Sequence, residues 1–162
     1  MGADVNKSKS AGLAGVLSLF VGVFWSFSIG VLCAYLLGYT DPASLATIGA
    51  GACTYIVGPV TGSALGVSSE IIAISIATGV VKTVVATVGT PLFAEYIRLS
   101  NPNAAIVFGG LIGTTSGVTA GLAATDPKLV PYGALTATFY TGLGCLLCPS
   151  FFYFVLRLLL NG

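Results

Sequence analysis

Lys82 is the residue on which a chemical reading of this sequence turns. It sits in the middle of the run EIIAISIATGVVKTVVATVGTPLFAEYIR (Glu70 to Arg98), with no other charge between Glu70 and Glu95. On a helix it stands roughly 18 Å from either carboxylate, farther than a lysine stem reaches. An ammonium left alone in lipid costs about 3 kcal/mol on insertion scales, so Lys82 must face a protein interior or a water-filled cavity. Two roles follow. It is a cation that draws in an anionic substrate, or the structural partner of a carboxylate such as Asp41 or Asp126 from another segment. Ionisable groups inside membrane segments mark substrate and ion paths by default, which favours the first.

The second candidate is the Gly-Thr-Thr-Ser-Gly core, Gly113 to Gly117, inside the uncharged stretch AAIVFGGLIGTTSGVTAGLAA (Ala104 to Ala124). Thr114, Thr115 and Ser116 offer hydroxyl donors to a carboxylate. A helix interrupted at Gly113 frees backbone carbonyls as oxygen ligands for sodium, and half-helix N-termini aimed at the same spot favour an anion. A related stretch, GPVTGSALG (Gly58 to Gly66), comes about 55 residues earlier and is read as a repeat signal. It adds Thr61 to the substrate-binding hydroxyls and Gly58 to the ion-binding positions, with Pro59 placing a kink or unwound turn there. Glu70, Asp126 and Asp41 flank these stretches and are candidates for the ion site, although acidic residues at helix ends more often only cap. The competing reading of Gly109, Gly113, Gly117 and Gly121, each four residues apart, is a small-residue packing ladder with its hydroxyls bonded back to their own helix.

Other chemistry finds no material. Histidine is absent, which removes the commonest general base and metal ligand. Cys33, Cys53, Cys145 and Cys148 each lie in apolar stretches, and the lone CxxC of Cys145 and Cys148 reads as small buried residues. No nucleophile–base pair, metal cluster or phosphate loop appears, so neither an enzyme nor a cofactor is expected. A net charge of +1 excludes the broad basic face that nucleic acid requires.

The elements that must position these residues are membrane helices. Of 162 residues, 56% are hydrophobic and 7% charged, too little charge to cover a soluble domain, so the lipid bilayer is the first partner. The sequence predicts an all-α integral membrane protein with about five hydrophobic segments: a polar stretch 1–10, frayed or interfacial, then a single transmembrane domain over 11–162. Segment one, Ala11 to Gly38, is long enough to span and to tilt. Segment two, about Ser44 to Ser69, and segment four are glycine-rich and broken or re-entrant. Segment three is the regular helix that holds Lys82. Segment five, Tyr132 to Leu160, closes on Phe151, Phe152, Tyr153, Phe154 and Arg157, an aromatic belt with a snorkelling arginine.

Asp41-Pro42 and Asn101-Pro102 introduce the two broken segments, which reads as an internal repeat or as the cheap self-likeness of glycine-rich apolar sequence. Spanning segments put Arg98 and Lys128 on opposite sides. Re-entrant hairpins put Lys7, Lys9, Arg98 and Lys128 together on the cytoplasmic side and make the two units inverted, which the positive-inside rule prefers.

The block TIGAGACTYIVGPVTGSALGVSSEIIAISIATGVVK, with NPNAAIVFGGLIGTTSGVTAGLAATDPKLVPYGALTATFYTGLGCLL, resembles the MadM subunit of the bacterial malonate:sodium symporter. The likeness runs from Ala11 onward. It implies a multi-pass protein of the bacterial inner membrane that takes in malonate, or a similar small dicarboxylate, with sodium by alternating access, beside a smaller subunit, MadL. Against that family the chain is expected to lack N-terminal helices. A pore-forming, holin-like oligomer or a structural subunit without its own substrate site is the alternative.

Overall fold

The computed structural model describes the backbone of residues 2–161 and the side chains of 12–160. Eight α-helices follow one another among them: α1 (Gly2–Leu36), α2 (Pro42–Cys53), α3 (Val57–Leu65), α4 (Ser69–Phe93), α5 (Pro102–Ile112), α6 (Thr115–Thr125), α7 (Val130–Leu147) and α8 (Tyr153–Asn161). A π-helical turn, Cys148–Phe152, carries α7 into α8, so that one apolar rod runs from Pro127 to Leu160. Three rods are long and apolar enough to cross a bilayer: Gly12–Leu36, α4 and this last one. Their outer faces present Phe20, Trp25, Val84, Val85, Leu92, Leu146 and Leu158, a surface suited to lipid. The backbone of 2–10 continues α1; the side chains of Lys7 and Lys9 lie outside the described residues.

The helices α2, α3, α5 and α6 have 12, 9, 11 and 11 residues. At 1.5 Å per residue each is about 14–18 Å long, half the thickness of a hydrocarbon core. Their contacts set their directions. A methyl group placed on Gly62 would stand 2.9 Å from Thr47 Cγ2, and one on Gly58 3.0 Å from Gly51 Cα, so α3 runs back antiparallel along α2. Gly109 lies against Gly133 and Gly113 against Tyr140, so α5 runs parallel to α7. Gly117 lies on Thr83 and Gly121 on Thr90, so α6 runs parallel to α4. Helix α1 runs parallel to α5 (Gly15 on Ile106, Gly22 on Leu111) and antiparallel to α2 (Val31 on Gly49, Val23 on Cys53). Since α2 is parallel to α4, α6 is antiparallel to α5 and α7.

Both broken segments are thus re-entrant hairpins that return to the side they entered. Helix α2 is parallel to α4 (Gly51 on Ser75, Gly79 on Tyr55), whereas α5 is parallel to α7, which runs the opposite way. The hairpins therefore enter from opposite faces, and their tips meet at mid-depth. Arg98, Lys128 and the start of α1 fall on one face; Asp41, Glu70 and Arg157 fall on the other.

Each hairpin with the long helix after it forms one unit, α2–α4 and α5–α7, and α1 packs on both α2 and α5. The units begin alike. Asp41 Oδ2 accepts from Ser44 N and Asn101 Oδ1 from Ala104 N, each at 2.9 Å, with proline at the first helical position, where its missing N–H has no helix partner to lose. The tips also correspond, since Thr54 and Thr114 each follow the capping Asx by the same interval. The first break differs from the sequence expectation. It falls at Thr54–Ile56, and Pro59 sits inside the first turn of α3, where N–H groups lack intrahelical acceptors in any case. Helix α4 ends earlier than Arg98, at Phe93. Leu99 N bonds Ala94 O, and Arg98 takes φ +51° to turn the chain toward Asn101.

Candidate functional site

At the centre, Lys82 projects from α4 into the junction of three other elements, α1, α2 and α7. Its Nζ donates to Ser26 Oγ of α1 at 2.9 Å, to the Cys53 carbonyl at 2.9 Å and to the Tyr140 hydroxyl of α7 at 3.3 Å. It also lies 5.1 Å from the centroid of the Tyr140 ring. Three N–H groups thus meet three acceptors, none a carboxylate, so the ion pair with Asp41 or Asp126 is not formed. Cys53 is the last residue of α2, where the half-helix presents its partial negative charge, and a cation placed there is favourable. Tyr140 is fully buried and donates to Gly22 O at 3.2 Å, tying α7 to α1.

The two tips are finished differently. At the first, Thr54 Oγ1 accepts from Ile56 N (3.2 Å) and Val57 N (3.1 Å), capping α3. At the second, the Thr114 hydroxyl turns away to α4, 2.6 Å from Thr83 Oγ1. Thr83 has one hydroxyl hydrogen, given to Gly79 O at 2.9 Å, so Thr114 is the donor of that pair. The N-terminus of α6 accordingly has no side-chain cap. Gly113 ends α5 at φ +76°, a left-handed conformation that side chains resist, and a Cβ there would enter the Tyr140 ring. Gly79 brings α4 onto the Tyr55 backbone so closely that no Cβ fits between them.

Beside these tips opens a cavity of about 660 Å³ lined by Tyr55, Ile56, Thr115, Ser116, Thr119, Ala120, Ala123, Thr138 and Thr141. Thr138 and Thr141 donate to their own helix, to Ala134 O and Ala137 O. The hydroxyls of Thr115, Ser116 and Thr119 stand at the uncapped start of α6, and Tyr55 reaches them from the first hairpin, its hydroxyl 3.4 Å from Ser116 Oγ. The space offers donors and the positive end of a half-helix, which is material for an anion.

Of the residues singled out from sequence, the fold brings Lys82, Gly113, Thr114, Thr115 and Ser116 to the centre. It leaves the others elsewhere. Thr61 is buried on α3 with its Oγ1 unpartnered, outside the cavity lining. Gly58 is no freed carbonyl at a break; it lets α3 approach Ser75 and Gly51. Glu70 is exposed in the first turn of α4, about 18 Å above Lys82 by the helix rise. Asp126 lies at the far end of α6 on the opposite face, its Oδ1 accepting from Lys128 N at 3.0 Å. An ion site shared by Glu70, Asp126 and the tips therefore does not assemble in this structure. The packing reading of the ladder is realised as well, with Gly109 against α7 and Gly117 and Gly121 against α4. Cys53 and Cys148 are buried in one apolar cluster. No group of three metal-ligating side chains occurs among the described residues.

Sequence reasoning missed Ser26, Tyr55, Thr83 and Tyr140. Only Tyr55 carries a signal, being a polar aromatic immediately after the Thr that shares its register with Thr114.

No curated protein and no solved structure matches the chain. The model of the family described as malonate/sodium symporter MadM subunit matches residues 1–160, which takes in the first ten residues that the resemblance had left out. The chain belongs to this family of transporter subunits and is accordingly a multi-pass membrane protein.

Proposed function

We propose that this MadM-family chain carries malonate, or a closely similar small dicarboxylate, across the bacterial inner membrane together with sodium, by alternating access about the hairpin tips. The observation that supports this most is the meeting at mid-depth of two half-helix hairpins from opposite faces, beside a hydroxyl-lined cavity and an intramembrane lysine. A carboxylate is held by the first N–H groups of α6 with Thr115 and Ser116, where a half-helix dipole favours an anion. Thr114 sets the pitch of that helix start through Thr83. Lys82 supplies the positive field from across the tips and yields one of its three acceptors to substrate in part of the cycle. Sodium takes the carbonyl oxygens at the C-terminal end of α5 around Gly113, where the dipole favours a cation. Thr61, with its free hydroxyl, belongs to the route rather than the first contact. The face that holds Arg98 and Lys128 is cytoplasmic. The smaller subunit MadL completes the carrier, and residues 11–162 act as one transmembrane domain.

The test is uptake of labelled malonate in cells without their own carrier, comparing this chain alone and with MadL, with and without a sodium gradient. Saturable, sodium-dependent uptake bears the proposal out. Non-saturable leakage of unrelated solutes supports a pore, with the glycines as seams. One observation favours a structural subunit instead, namely that all three Lys82 donors are engaged within the protein. That reading requires Lys82→Ala to leave uptake unchanged.

A further inference from the structure

We infer that Tyr55 sets substrate specificity by donating its phenol hydroxyl to the second carboxylate of a dianion whose first carboxylate sits at the start of α6. This rests on the reading above and adds a residue and a selectivity to it.

The placement of Tyr55 is unusual in three ways. Its backbone is fixed. It lies in the break Thr54–Ile56, held from one side by Gly79 of α4 and from the other by the Thr54 cap on the following N–H groups. Its side chain leaves the first hairpin altogether and gives the direct side-chain hydrogen bond between the two hairpins seen among the described residues. Its hydroxyl also opens onto the cavity, half-buried, beside the donors of α6.

The 3.4 Å separation of Tyr55 Oη and Ser116 Oγ is longer than the roughly 2.5–3.0 Å of a good O–H···O bond. Two hydroxyls held this loosely are each free to turn to a stronger acceptor, Ser116 to the carboxylate at the start of α6 and Tyr55 to the other carboxylate of a dianion, each in a charge-assisted bond. The engaged hydroxyls around them sharpen the assignment. Thr138 and Thr141 spend their hydrogens on their own helix, and Thr114 spends its hydrogen on Thr83. Only the α6 hydroxyls and Tyr55 remain on the cavity wall to greet two carboxylates, and they come from opposite hairpins. A monocarboxylate fills the α6 end and leaves Tyr55 on Ser116. A dianion pulls the two tips onto itself. Selectivity for two charges then comes from a single phenol and not from the shape of an otherwise apolar wall.

The experiment uses the chain assembled with its partner subunit in cells, comparing wild type with Tyr55→Phe, which keeps the ring and its packing. Malonate KM and maximal rate are measured, and propionate, in which a methyl group replaces the second carboxylate, is the competing inhibitor. The expected result is a rise of about tenfold in malonate KM, as for loss of a hydrogen bond to a charged group. The propionate inhibition constant should move less than about twofold, and membrane levels of protein should stay the same. An unchanged malonate KM with intact uptake overturns the inference. So does a parallel loss for malonate and propionate, which marks a structural residue. Wild-type protein that takes up no malonate with sodium overturns the functional reading, and the inference with it, before any variant is compared.

Discussion

Replacing Lys82 by methionine separates what this residue holds from what it transports. The side chain keeps its length and loses its charge. Three charge-assisted bonds of about 1.5–3 kcal/mol each disappear, but so does the several-kcal/mol cost of holding an ammonium out of water, and the two largely cancel. The residue of the sum comes from the partners. Tyr140 still donates to Gly22 O. The Ser26 hydroxyl can swing onto a carbonyl of its own helix. The Cys53 carbonyl has no such recourse, and a buried acceptor left unpaired costs about 1–3 kcal/mol. Loss of a cation from the end of half-helix α2 adds up to about 2 kcal/mol.

A loosening of about 2–4 kcal/mol, concentrated at the first tip, is therefore expected. Its reporter is Cys53, fully buried beneath that tip. In a Cys33→Ser background, which removes the exposed thiol, a small thiol reagent should modify Cys53 at least roughly thirtyfold faster in Lys82→Met, since every 1.4 kcal/mol of opening is about tenfold. Malonate uptake should be lost. Wild-type labelling and an unchanged thermal midpoint in detergent would refute the reasoning about the tip. Faster labelling with intact uptake would leave Lys82 a pin and nothing more.

Three further outcomes follow from the same geometry. Gly113→Ala forces a side chain into the left-handed region and against Tyr140, so the thermal midpoint and the amount of protein in the membrane should fall with a loss of about 2–5 kcal/mol. Asp41→Ala and Asn101→Ala each remove an N-cap and should cost about 1 kcal/mol apiece, additively in the thermal midpoint because they sit on opposite faces. Cysteines introduced as Asp41→Cys and Val67→Cys should react with a membrane-impermeant reagent from one side, and Asn103→Cys and Asp126→Cys from the other. A broken segment that spans instead of returning would separate residues 41 and 67.

The fold was legible where charge and punctuation set it. Lysine and arginine placement already preferred re-entrant hairpins, and Asp41-Pro42 and Asn101-Pro102 marked where each hairpin begins. The position of the first break was not, because glycine attracted the eye. Gly58-Pro59 looks like an interruption, yet there glycine serves a close approach and proline an N-terminal turn. The real register, from Asx to the Thr at each tip, is carried by unremarkable residues. At the site, Lys82 and Thr114 to Ser116 announced themselves by polarity in apolar surroundings. Their partners did not, because Ser26, Thr83 and Tyr140 are ordinary residues of spanning helices until packing brings them together. Glu70 and Asp126 were drawn in only by chain proximity to the broken segments, and half-helices of some 16 Å carry that proximity away from the tips.

The likeness of the two units makes the difference between their tips informative. A hairpin tip in a membrane exposes two sets of unsatisfied backbone groups, the carbonyls ending one half-helix and the amides starting the next. The first tip answers both from within the protein, with Lys82 on the Cys53 carbonyl and Thr54 on the amides of α3. The second tip has the equivalent threonine, but Thr83 of α4 claims its hydroxyl, and α6 starts without a side-chain cap. Moving one hydroxyl from its own tip to a neighbouring helix thus turns a closed structural end into an open one. The cavity lies on that open end, and the closed tip contributes only Tyr55 and Ile56 to it. On the proposed function, the closed hairpin would hold the side chain that meets substrate and the open hairpin would present the amides that take its carboxylate.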